Sequence, residues 1–200
     1  VHDVALQDLD VTFVLDRAGL AGDDGATHHG VFDMAYLRTI PGMVIMAGKD
    51  EAETRDLLYT AIEHKGPAAL RIPRGEGQGV SMRKEFTAIP IGTAELLRDG
   101  RDVGIVAIGV MVEQAEKVAD ALLAKGIKAS VLNARFVKPL DTDQVLDLAE
   151  RCGRLVVLEE HAPRGGFGAA ILECLAEHEA YDVPVRLFAL PDRFVHHGTR

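Results

Sequence analysis

Within residues 16 to 30 the chain carries Arg17, Asp23, Asp24, His28 and His29 among four glycines, directly after the apolar run Val11-Thr12-Phe13-Val14-Leu15. An arginine's planar fork donates two hydrogen bonds at once to a phosphate or carboxylate. A second arginine, in Pro73-Arg74-Gly75, follows another apolar run. If both runs are parallel strands of one sheet, Arg17 and Arg74 leave it at the same edge and can converge on one anion. The alternative is that each is a solvated loop residue or pairs with a nearby acid. Asp24 and His28 share the same glycine-rich loop. A histidine beside a carboxylate moves protons near neutral pH and hydrogen-bonds a carbonyl or hydroxyl. The same residues also suit an Asx-turn in which His28 or His29 caps the following helix.

Other constellations are weaker. The adjacent pairs His28-His29 and His196-His197 invite a metal reading. Neighbouring residues project in different directions and no third ligand has suitable spacing, so no metal ligand is expected in this chain. Gly165-Gly166-Phe167-Gly168 opens a helix but matches neither GxGxxG nor a P-loop. It predicts tight strand–helix packing rather than a phosphate cradle. Glu159-Glu160-His161, just before it, predicts an interdomain or subunit contact.

These residues are positioned by alternating strand and helix patterns, the signature of a mostly parallel α/β sheet. The spacing predicts a short helix over 31–39, a strand over 43–47, a helix from Asp50 to about His64 and a strand over 68–72. Residues 73–90 are polar and glycine-rich, which makes them the best boundary. Beyond them come a strand over 103–108, a helix with Met111, Val112, Ala115, Val118, Ala119, Leu122 and Leu123 at helical spacing, and a strand over 128–133 that leads into Arg135-Phe136-Val137-Lys138-Pro139-Leu140. Asp141 caps the next helix. Strands over 155–158 and 183–187 flank the last one. The expected fold is therefore two tandem three-layer α/β domains with mostly parallel sheets, residues 1–80 and 81–200.

Composition narrows the function classes. A formal charge of −9 and a pI near 5.3 argue against nucleic acid or an anionic membrane as partner. No apolar run reaches the length of a membrane span and no signal peptide leads the chain, so a cytoplasmic location is expected. Cys152 and Cys174 lack CxxC spacing and predict buried free thiols. Val1 to Gln7 reads as the tail of an amphipathic helix without a starting cap, and the chain is expected to be part of a longer protein.

The ordered motifs go further than their patterns. Asp16-Arg17-Ala18-Gly19-Leu20, Asp24-Gly25, Thr27-His28, Gly30, Phe32-Asp33 and Tyr36-Leu37-Arg38 closely resemble the 1-deoxy-D-xylulose-5-phosphate synthase family. Pro73-Arg74-Gly75, Arg135 to Asp141, Glu159-Glu160-His161 and Leu190-Pro191-Asp192 fit the same family. The resemblance runs nearly the full chain and implies part of a transketolase-type pyrimidine-binding domain followed by a transketolase-type C-terminal domain. It implies a homodimeric enzyme that uses thiamine diphosphate and Mg2+. That enzyme decarboxylates pyruvate and joins the two-carbon unit to D-glyceraldehyde 3-phosphate. By position, Arg17 and Arg74 would hold the acceptor phosphate, with Asp24 and His28 near the reacting carbons as catalytic residues.

The family's diphosphate- and metal-binding Gly-Asp-Gly motif does not occur in these 200 residues. The glutamate that activates the cofactor and the aromatic that stacks on its ring are expected upstream of Val1. The chain alone is thus expected to bind neither cofactor nor metal and to be inert without the missing N-terminal part. His29 stands where a smaller polar residue is expected. Two other readings are a transketolase-type β subunit of a 2-oxoacid dehydrogenase, which would need a lipoyl partner, and a non-catalytic α/β binding or assembly module.

Overall fold

The computed structural model describes residues 1–199, which form nine strands and five α-helices. In chain order these are β1 (Thr12–Ala18), α1 (Asp33–Leu37), β2 (Val44–Ala47), α2 (Glu51–Glu63), β3 (Ala68–Pro73), β4 (Glu95–Arg98), β5 (Val103–Ala107), α3 (Met111–Leu123), β6 (Ala129–Asn133), β7 (Phe136–Lys138), α4 (Thr142–Cys152), β8 (Leu155–Leu158), α5 (Phe167–Glu177) and β9 (Val185–Phe188). One sheet has the order β1-β3-β2-β7 and the other β4-β6-β5-β8-β9. All pairings are parallel except β2 with β7 and β4 with β6.

Strand alternation sorts the apolar residues into layers. Val44 and Met46 face α2, where Leu57 and Ala61 meet Ala68, Leu70 and Phe136. Ile45, Ala47 and Ala69 point the other way, into a core shared with Val106, Leu132, Val157 and Phe167 of the second half. Ile105, Ala107 and Val131 pack instead against Val112, Ala115 and Ala119 of α3. α2 starts where Asp50 accepts the Glu53 backbone N–H at 2.7 Å, with Glu51 and Glu53 in its first turn. Cys152 and Cys174 are free and buried.

Several elements differ from the sequence pattern. Val1–Gln7 forms no helix tail but a loop with a 3-10 turn at Ala5–Gln7. The helix expected over 31–39 contracts to Asp33–Leu37. β4 is too short and too charged at its ends to show periodicity, and it exists as an antiparallel edge on β6. The largest difference is β7. Arg135 takes a left-handed turn (φ 58°), after which Phe136–Lys138 leaves the second sheet and closes the first one against β2. Phe136 is fully buried under α2, and Lys138 Nζ donates to the Arg38 and Ile40 carbonyls at 3.0 and 2.6 Å. The two α/β units follow one another along the chain as expected, and β7 is the strand that the second half adds to the first sheet.

Asp141 joins two elements. Its Oδ1 accepts the Gln144 N–H at 3.1 Å to cap α4, and its Oδ2 accepts the Ala94 N–H at 2.7 Å. Asp141→Ala is expected to cost about 1 kcal/mol or more, read as a fall of about 2–4 °C in a thermal melt.

Candidate functional site

The register of β1 against β3 slips between Leu15 and Ala18, so the strand continues through Arg17 as a bulge. Arg17 sits at φ 56°, in the left-handed region that a bulky side chain seldom adopts. Bulges of this kind re-aim a side chain at a strand end. Arg74 directly follows β3, the neighbouring parallel strand. The two guanidiniums do converge. Arg17 Nε donates to Asp24 Oδ2 at 2.8 Å and Arg74 Nη1 donates to the same oxygen at 2.6 Å. Arg17 Nη1 also reaches Asp16 Oδ2 at 2.5 Å.

One carboxylate oxygen thus occupies the point on which both forks bear. The Arg17 hydrogen bond, with Arg74's charge behind it, holds the Asp24 carboxyl below the usual carboxylate range, and Asp24 in turn raises Arg17. Both forks thus bear on a nearby acid, with Asp16 as a further partner of Arg17, and the edge gathers the donors that a phosphate would take. A 3-10 turn, Gly22–Asp24, presents Asp24, and Gly25 at φ 79° closes it with its N–H on the Gly22 carbonyl.

The two histidines of the loop are placed differently. His28 is exposed, its Nδ1 3.0 Å from the Thr27 hydroxyl, and it is not hydrogen-bonded to Asp24. His29 Nδ1 accepts the Ala21 N–H at 2.9 Å, while its Nε2 is enclosed with no partner among the described residues. A ring that accepts at Nδ1 carries its neutral proton on Nε2. His29 is therefore a strut of the loop. The C-terminal segment lies against the same loop: Gly198 N–H donates to the Gly22 carbonyl at 3.3 Å, and Phe194 meets Phe32 edge to face at 6.1 Å. The described residues hold no group of three or more His, Cys, Asp or Glu able to bind a metal.

Sequence reasoning missed a second layer beneath the loop. Arg71 and Asp33, 5% and 6% exposed, form a bidentate pair, with Nε to Oδ2 at 2.6 Å and Nη2 to Oδ1 at 3.1 Å. The signal was available: an arginine inside the apolar run Ala68-Ala69-Leu70-Arg71-Ile72 is seldom buried unless paired. Fully buried His161 stands beside them, its Nδ1–H donating to the Ala162 carbonyl at 2.7 Å and its Nε2 3.9 Å from Asp33 Oδ1. Burial lowers its pKa.

Glu159 takes the N-terminus of α5, accepting the Phe167 and Gly168 N–H groups at 2.7 and 3.0 Å. This explains the glycines before the helix. A Cβ on Gly166 would lie 2.4 Å from Glu159 Oε2, so the approach is close and the chain's own carboxylate fills the anion position. Glu160 turns instead to the first half, its Oε2 2.1 Å from where a Cβ on Gly19 would stand.

Burial pushes Glu159 up to about 7, against the opposing effect of those two N–H groups. Between the ordinary glutamate range and about pH 7 the folded state keeps a proton that the unfolded chain has released. Stability from this group is therefore full in acid, falls as pH rises through that window and levels off above it. In urea midpoints taken from about pH 5 to about pH 8, Glu159→Gln is expected to lack that downward slope.

Comparison with known proteins identifies the two domains. Residues 1–79 match the transketolase pyrimidine-binding domain and residues 92–200 the transketolase C-terminal domain. The chain is 54% identical to 1-deoxy-D-xylulose-5-phosphate synthase 1 of Geobacter sulfurreducens over 98% of its own length and 31% of that relative. Identity to the synthase of Pelotomaculum thermopropionicum is 54% over 100% of this chain and 31% of that protein. The chain spans about a third of the length of these relatives.

Among solved structures, a split gene transketolase described as an inactive beta4 tetramer superposes with a TM-score of 0.85 at 33% identity, over 96% of this chain and 60% of that one. A Pichia stipitis transketolase mutant shares the fold with a TM-score of 0.71 at 22% identity, over 97% of this chain and 27% of that one. Carrying both a pyrimidine-binding and a C-terminal domain, with 1-deoxy-D-xylulose-5-phosphate synthases as relatives along its whole length, the chain belongs to the transketolase family and resembles the C-terminal portion of those synthases.

Proposed function

We propose that this chain is the acceptor-binding part of a 1-deoxy-D-xylulose-5-phosphate synthase, a transferase that condenses pyruvate with D-glyceraldehyde 3-phosphate and releases CO2. The observation that carries the reading is the meeting of Arg17 and Arg74 on one oxygen. A phosphate dianion offers more oxygens and more charge than the Asp24 carboxylate. It would displace that carboxylate and take both forks. Asp24, released, and His28, exposed on the same loop, would hydrogen-bond the substrate's hydroxyl or carboxylate groups and move protons between them.

The family's thiamine diphosphate supplies the electron sink for the decarboxylation. The described residues offer no donor set for its metal, so we assign Mg2+ and the diphosphate to the N-terminal part of the longer enzyme. The chain without that part is expected to show no turnover. We place the division between the two domains at residues 80 and 81, and the enzyme in the cytoplasm as a homodimer.

The test is turnover by the complete enzyme carrying these residues, given pyruvate and either D-glyceraldehyde 3-phosphate or unphosphorylated D-glyceraldehyde. The phosphorylated acceptor is expected to be preferred in kcat/KM by at least about tenfold, because two charged donors would otherwise be left unpaired. Equal use of both aldehydes, or a requirement for a lipoyl partner, overturns the proposal.

A further inference from the structure

We infer that Arg71 is a positioning residue for the phosphate site: through Gly30 it fixes where the Arg17 guanidinium stands relative to Arg74. The inference rests on the reading of Arg17 and Arg74 given above. Arg17 is held in a left-handed conformation at the end of a bulged strand, a geometry that persists only when its surroundings enforce it. The enforcement is traceable bond by bond. The Arg17 carbonyl accepts the Gly30 N–H at 2.9 Å. The Gly30 carbonyl accepts the Gly19 N–H at 2.8 Å and Arg71 Nη2 at 2.8 Å.

Arg71 lies on β3 three residues before Arg74, so one strand carries both an arm of the phosphate site and the pin for the other arm. Asp33 orients the Arg71 fork through its two bonds, and Nη2 is shared between Asp33 and the Gly30 carbonyl. The second half of the chain closes this joint from behind, where Ala162 N–H donates to the Val31 carbonyl at 2.9 Å and His161 faces Asp33. Arg71 is buried, and its Nε and Nη2 are already engaged by Asp33 and the Gly30 carbonyl. Lysine cannot replace it, because a point ammonium lacks the planar fork that spans a carboxylate and a carbonyl together. Gly30 is equally constrained: a Cβ there would lie 2.6 Å from the Arg17 carbonyl oxygen.

The experiment compares Arg71→Lys and Gly30→Ala in the complete enzyme, with D-glyceraldehyde 3-phosphate and D-glyceraldehyde as acceptors and a thermal melt of each variant. Gly30→Ala disturbs the same link without touching the buried ion pair, and decides the question if Arg71→Lys does not fold. Each variant is expected to raise KM for the phosphorylated aldehyde by about tenfold or more, since displacements near 1 Å are that costly. KM for pyruvate and kcat/KM for the unphosphorylated aldehyde should stay within about twofold of the parent. An equal loss with both aldehydes makes Arg71 merely structural and overturns the inference. A phosphate preference that survives both variants but vanishes in Arg17→Ala overturns the inference and leaves the functional reading intact. No phosphate preference in the unmodified enzyme overturns the functional reading, and the inference with it.

Discussion

Arg17→Ala in the complete enzyme is expected to lower kcat/KM for D-glyceraldehyde 3-phosphate by about 30- to 150-fold, the loss of a charge-assisted contact of about 2–3 kcal/mol. The effect should fall mainly on KM. A phosphate lies at the far end of a three-carbon aldehyde from the bond being made, so its contacts are held alike in ground and transition states. Arg74→Ala should act in the same direction and less strongly, because Arg74 is half exposed while Arg17 is one-third exposed and fixed in its bulge.

Asp24 makes the arginine effect steeper. In Arg17→Ala the carboxylate keeps its bond to Arg74 and neutralises the remaining cation. The phosphate must then displace an anion for one fork instead of two. The double variant should consequently lose less than the sum of the singles, as expected for residues that share a partner. Steady-state kinetics with both aldehydes checks this, and an acceptor dependence unchanged in either variant would remove the arginines from the site.

Much of this arrangement was readable from sequence because it is local. The strand that ends in a charged glycine loop, the apolar stripe of Leu57 and Ala61, and the caps at Asp50 and Asp141 all show in short windows. The convergence of Arg17 and Arg74 followed from the expectation that parallel strands present their ends at one edge, and β1 and β3 are adjacent.

What escaped is non-local. Asp33 and Arg71 are 38 residues apart, and neither pattern shows that the acid helix start and the strand cation neutralise each other. β7 is three residues long and pairs with a strand some 90 positions earlier, so no periodicity could assign it to the first sheet. The glycines at 165–168 suggested packing or anion binding, and the answer is packing around an internal carboxyl group, Glu159. The bulge at Arg17 was invisible for a different reason. It depends on the register against β3, which the side-chain types of β1 alone do not encode.

Adjacent His28 and His29 are chemically identical in sequence and opposite in structure, which makes them a sharp paired test. His28→Ala is expected to lower kcat of the complete enzyme by about a hundredfold, the common worth of a positioned proton donor or acceptor, with the melting temperature nearly unchanged. Its ring is exposed, and among the described residues the ring meets only the neighbouring Thr27 hydroxyl, so the fold loses little when it is removed. His29→Ala should do the reverse to stability. The Ala21 N–H loses its acceptor in a partly buried loop, at a cost of about 1–3 kcal/mol and several degrees of melting temperature.

Kinetics then separates the two roles further. Loosening the Ala21–Gly30 loop moves Asp24, so His29→Ala should weaken binding of the phosphorylated acceptor and raise KM. His28→Ala should leave that KM near the parent value, because His28 does not hold the arginines. If His28→Ala instead collapses the melting temperature while kcat survives, the exposed imidazole is a structural cap, and proton movement at this edge must be sought at Asp24.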